Sequence, residues 1–147
     1  MPGFLRINSS LGGLSFGKDG DGNVGYYGAD GSLIPFSRVY RLPNLSYSDN
    51  SATWVVKNKD YTYDVSGYKH LLLTISFGLS YPNGSTCYCI IICDGKQLTS
   101  REYSVTNNTY TSIQTVDIEL PQNCKSLTIR LQSNYFGSVS TYNGIVY

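Results

Sequence analysis

A chain of 147 residues can bury one sizeable core but not two ordinary ones, and its 11 Lys+Arg against 10 Asp+Glu leave a net charge of +1. That balance supplies no field to gather phosphate backbones or anionic lipid, which argues against nucleic acid as a partner and against membrane insertion. Only 14% of residues are charged, while 14 tyrosines stand among many Ser, Thr, Asn and Gly, a composition that suits pleated surfaces better than amphipathic helices. No stretch approaches the roughly 18 apolar residues of a membrane span, and Met1-Pro2-Gly3-Phe4-Leu5-Arg6 lacks the layout of a signal peptide. The expectation is a protein made in the cytosol and released by lysis.

The first 45 residues crowd Gly12, Gly13, Gly17, Gly20, Gly22, Gly25, Gly28 and Gly31 into a segment with too few apolar side chains for a core of its own. Short strands over Leu14–Phe16, Val24–Tyr27 and Ser32–Phe36 make a glycine-rich β-meander arm. Asp19, Asp21, Asn23 and Asp30 fall at positions 1, 3, 5 and 12 of a calcium loop. Val24 stands where that loop needs glycine, however, and Asp30 stands where a bidentate Glu is usual, so a hairpin turn is expected and no metal. Pro35 and Pro43 mark the exit, with Arg38–Asp49 read as a linker and a boundary near residue 45.

Residues 46–147 carry the strand patterns. Leu71, Leu73, Ile75, Phe77 and Leu79 alternate with Thr74, Ser76 and Gly78. Val116, Ile118 and Leu120 interleave with Asp117 and Glu119, and Leu127, Ile129 and Leu131 interleave with Thr128, Arg130 and Gln132. Less regular strands are expected over Thr53–Lys57, Tyr61–Val65, Thr86–Cys93, Gln97–Val105 and Tyr142–Tyr147. Turn residues at Ser66-Gly67, Pro82-Asn83-Gly84, Asp94-Gly95, Asn107-Asn108 and Pro121-Gln122-Asn123 separate them. These spacings predict an all-β chain, an antiparallel β-sandwich of jelly-roll type following the arm.

Chemistry-bearing residues are few. His70 is the single imidazole, at the start of the best strand and with no nucleophile beside it, so a hydrolytic triad is not expected. Asp117 and Glu119 share one strand face and could in principle serve as acid and base, but a solvated face is the plainer reading. Cys87, Cys89 and Cys93 point to one side of one strand and, with Cys124, read first as buried thiols, with a bridge from Cys124 to one of the three as the alternative; their spacing does not suit zinc. The residues therefore predict no catalytic set, no metal and no cofactor. What remains is an aromatic and amide surface, from which Trp54, Tyr81, Tyr110, Tyr135 and Tyr142 are the candidate ligand-binding residues. Trp54, beside Val55-Val56, is expected first in the core, where truncation to Ala would cost about 3–5 kcal/mol, and otherwise on the contact surface.

The run from Phe16 to Phe36, with Gly25-Tyr26-Tyr27, Ala29-Asp30-Gly31 and Ile34-Pro35-Phe36, resembles the glycine-rich module of tail and head appendage proteins of phages of Gram-positive bacteria. Asp64-Val65-Ser66-Gly67-Tyr68-Lys69-His70-Leu71 is similar to the lead-in strand of the jelly-roll modules that follow it, which are akin to carbohydrate-binding sandwiches. The resemblance implies a non-enzymatic virion structural protein on tail, baseplate or capsid. Its N-terminal segment would dock on other virion proteins, its sandwich would project outward as a homo-oligomer, and a host surface glycan would be a potential contact. Two rival expectations are a capsid decoration protein without a receptor role and a carbohydrate-binding module of a secreted enzyme.

Overall fold

A computed structural model describes residues 5–8, 15–18, 24–28, 31–35, 39–79, 86–106 and 111–147. They form thirteen strands and, among the described residues, no helix. The first four, β1 (Leu5–Asn8), β2 (Ser15–Lys18), β3 (Val24–Tyr27) and β4 (Leu33–Pro35), pair in chain order as an antiparallel meander, one strand longer than the sequence suggested. Gly25 shows why glycine recurs there: a Cβ at this position would collide with the carbonyl of Ile34 on the neighbouring strand. The calcium-like residues Asp19, Asp21, Asn23 and Asp30 lie outside the described residues.

The remaining strands are β5 (Tyr40–Arg41), β6 (Leu45–Ser48), β7 (Lys57–Asp64), β8 (His70–Gly78), β9 (Thr86–Cys93), β10 (Lys96–Thr106), β11 (Thr111–Glu119), β12 (Ser126–Ser133) and β13 (Ser138–Val146). One sheet has the order β10-β9-β12-β7, and the other has β11-β8-β13 with β5 and β6 both paired to β13; every pairing is antiparallel. From β6 onward each connection crosses between the sheets except the β9–β10 hairpin, which gives the wrapped topology of a jelly roll. The hairpin turns on Asp94 and Gly95, both with positive φ, as a two-residue turn requires. The Asp94 carboxylate then accepts the Ser126 N–H at 2.9 Å and so fastens the hairpin to the start of β12.

Alternation explains the core. Leu71, Leu73, Ile75 and Phe77 of β8 face Cys87, Cys89, Ile91 and Cys93 of β9 and Leu127, Ile129 and Leu131 of β12, all buried. Each large side chain so removed from water contributes about 1.5–3 kcal/mol. The four cysteines are free and buried. Burial pushes the Cys87 thiol up to about 11 and those of Cys89 and Cys93 up to about 12, so these groups stay protonated at neutral pH.

Two expectations about local structure fail. The stretch read as a linker, 38–49, carries β5 and β6, and Leu42, Leu45 and Asp49 are buried. Between these two strands the Leu42 N–H still donates to the Gly144 carbonyl at 2.9 Å, so β5 and β6 act as one interrupted edge alongside β13. The expected strand Thr53–Lys57 is absent: residues 53–56 are irregular and β7 begins at Lys57. The reason lies in the partner strand. Lys57 pairs with Ser133, the last residue of β12, so no strand residue of β12 remains to continue the ladder with the preceding residues.

The two edges of the β10-β9-β12-β7 sheet differ from its interior. Edge strand β7 carries Lys57, Lys59, Asp60 and Asp64, with Asp60 taking a two-bond fork from Arg130 at 2.8 and 2.9 Å. At the other edge the β10 ladder breaks between Gln97 and Glu102.

Candidate functional site

One end of the sandwich is formed by the connection 49–56 between β6 and β7 and the turn 134–137 between β12 and β13. Asn134, almost wholly buried, ties the two together. Its side-chain amide donates to the Trp54 carbonyl at 3.0 Å, and its side-chain oxygen accepts the Thr86 N–H at 2.7 Å. The Tyr135 N–H donates to the Thr53 carbonyl at 3.0 Å, and the Asp49 N–H to the Gly137 carbonyl at 3.0 Å. With both backbones held, the indole of Trp54 stacks on the ring of Tyr135, centroids 4.1 Å apart and planes within 15°. Phe136 meets Tyr135 edge-on at 5.8 Å.

Tyr135 and Phe136 both have positive φ, 41° and 60°. Two successive aromatic residues in the left-handed region cost about 1 kcal/mol or more each, and strain of this kind concentrates where a structure presents particular side chains. Here it turns the Tyr135 ring under Trp54.

The surface produced is apolar. Trp54 is 54% exposed, Val55 68%, Val56 45% and Phe136 39%. Trp54 is therefore not a core residue, which corrects the first expectation for it and removes the predicted 3–5 kcal/mol cost of its truncation. Beneath the patch, Asp49 is buried and accepts the Ser51 N–H at 3.0 Å and the Ser51 hydroxyl at 2.7 Å. Lys57 Nζ lies 3.8 Å from the same carboxylate and donates to Ser51 Oγ at 2.9 Å. Burial pushes the Asp49 carboxyl up, but the Ser51 bonds, the Lys57 charge and the Tyr135 backbone outweigh it and hold the group below the usual carboxylate range.

Of the five candidate ligand-binding residues, the structure brings Trp54 and Tyr135 into contact. Tyr142 is half-buried midway along β13, opposite Thr74, and belongs to the outer face of the sheet instead. Tyr81 and Tyr110 lie outside the described residues. Three contributors went unseen in the sequence: Val55 and Val56, hidden in an apparent strand, and Phe136; Asn134 belonged to the expected amide surface, but as one of many.

A second cluster occupies the opposite end. The Tyr147 hydroxyl donates to Asp117 Oδ2 at 2.6 Å, the His70 and Tyr147 rings stack at 4.8 Å, and His70 Nδ1 lies 3.7 Å from Asp117 Oδ1. Glu119 pairs with His70 across the ladder, so the Asp117 and Glu119 face foreseen as solvated is in part tied down. Among the described residues no cluster of His, Cys, Asp and Glu is arranged to hold a metal ion, and no helix is long and apolar enough to cross a membrane.

No family model and no curated protein matches the chain. One solved structure that it is similar to is tailspike protein 4 of bacteriophage CBA120, with a TM-score of 0.43 and 10% identity over 97% of this chain. The chain spans 18% of the length of that tailspike chain. The tailspike structure is described as an enzymatically active domain, and the expectation that this chain is not an enzyme is corrected accordingly. That expectation rested on a lone histidine without a nucleophile beside it and on an Asp117 and Glu119 face read as solvated.

Proposed function

We propose that the protein is a phage virion appendage, held to other virion proteins by its N-terminal segment, assembled as a homo-oligomer and directing the Trp54–Tyr135 end toward the host surface. The division near residue 45 into a docking segment and a presenting domain belongs to this proposal. The observation that carries it is a polarity along β13. The chain leaves the glycine-rich meander and enters the sandwich at β5, which pairs with Ile145 and Val146, while Trp54 and Tyr135 lie beyond Ser138 at the other end of the same strand. The nine residues of β13 separate attachment and presentation by about 25 Å. The resemblance of the segment Phe16 to Phe36 to appendage modules, and the low charge of the whole chain, support the same reading.

The test is a micrograph. Antibody raised against the exposed segment Lys57–Asp64 should decorate fibres or spikes on purified particles from a lysate containing the protein. Label spread over the shell would favour capsid decoration, and protein found only in the soluble fraction would sink the proposal.

A further inference from the structure

We propose that the loop-end patch is a saccharide site that stacks a neutral pyranose on Trp54. The appendage reading bears only on where the sugar would come from, a host surface.

Charge argues first. Among the described residues, the ionised groups that flank this connection, Asp49 and Lys57, are engaged with each other and with Ser51, so neither is left uncommitted to select an anionic or cationic ligand. Size argues next. Trp54, Val55, Val56 and Phe136, with half-buried Tyr135, expose roughly 400 Å² together, about half of the ~800 Å² that one side of a stable protein interface buries. A sugar of one to three rings fits that area, whereas a second copy of the chain or a protein partner would need more.

Rigidity argues third. Tyr135 backs one face of the indole, Asn134 clamps the Trp54 carbonyl, and the Tyr135 N–H holds Thr53, so little conformational freedom is left to lose on binding. A flat, apolar, preformed ring face is complementary to the C–H face of a pyranose. Exposed Asn50 stands in the same connection as Trp54 for hydrogen bonds to the sugar's rim.

Trp54 is the single tryptophan of the chain, so tryptophan fluorescence, excited selectively over the tyrosines, reads this site alone. Full-length protein would be titrated to about 50 mM, the range in which a single stacked ring is expected to bind, with methyl β-glucoside, methyl β-galactoside, methyl α-rhamnoside and N,N′,N″-triacetylchitotriose. The expected result is a saturable quench or blue shift with at least one of them, unchanged in ~0.5 M salt, where the Debye length is only a few Å. By saturation-transfer NMR, Trp54→Ala should weaken that binding tenfold or more while its melting temperature stays within about 3 °C of the parent, because the side chain is solvent-exposed; Tyr142→Ala should bind as the parent does.

Silence with all four sugars overturns the proposal. So does undiminished binding by Trp54→Ala, or a blue shift that follows protein concentration without sugar, which would assign the patch to a second copy. Sugar binding by a protein missing from particles would leave this inference standing and end the appendage reading; the converse result would do the reverse.

Discussion

Two stretches of this chain look equally fit for burial, and the fold treats them in opposite ways. Leu71–Leu79 disappears into the core, whereas Trp54-Val55-Val56 stays in solvent at one end of the sandwich. Apolar content does not distinguish them. Every second residue of β8 can face inward because β11 pairs with it in register along its length and β13 flanks its other side with one irregularity between Tyr142 and Ile145, whereas residues 53–56 precede Lys57, whose partner Ser133 is the last of β12. Burial follows from a neighbouring strand to complete the ladder, and hydrophobicity without one becomes a surface.

The widest separation between the two regions is in stability. Phe77→Ala, deep in β8, should cost about 3–5 kcal/mol by denaturant or thermal melting, through lost burial and the cavity left behind. A loss under about 1 kcal/mol would show that the β8 side of the sandwich is looser than its packing implies. Asn134→Ala should cost less, about 1–3 kcal/mol, since it leaves the Thr86 N–H and the Trp54 carbonyl without their partner. It should also broaden and red-shift the Trp54 emission, and a change in stability with no change in emission would mean that Asn134 does not hold the aromatic stack.

The smallest effect concerns acid. Because the Asp49 carboxyl is held below the value it has in an unfolded chain, its contribution is fully present above the ordinary carboxylate range and is lost as pH falls through the folded value. Asp49→Asn should therefore flatten the acid limb of the stability profile by at most one proton, about 1.4 kcal/mol per pH unit. An unchanged limb would assign the acid sensitivity to Asp60 and Asp64, which are also held low, the first chiefly by its bond from Arg130 and the second by its bonds from Ser66.

Regular alternation was legible wherever one sheet face is dry: β8 and β12 show it, and Thr86–Cys93 could be bounded at both ends from its β-branched run and the turn residues after it. β5 and β6 could not be read that way. They are two and four residues long, and Pro43, which has no N–H to give a ladder, interrupts the edge between them, so Leu42 and Leu45 looked like isolated residues in a linker. Trp54 and Tyr135 could each be named by residue type as candidates, yet their stacking depends on a turn with two aromatic residues at positive φ. Such strain has no local signature, because residues of this kind avoid that conformation when nothing forces it.

The strand β7 has a further consequence, for how copies of the chain can meet. In a protein with so few ionised side chains, this one edge carries two lysines and two aspartates, and the opposite edge of its sheet is disrupted where β10 leaves the ladder. A continuing strand from another molecule would have to place its backbone against that charged row or follow a ladder that has lost its spacing. The charged β7 edge therefore disfavours cross-molecular β-pairing at that margin, and the irregularity in β10 shortens the regular ladder at the other.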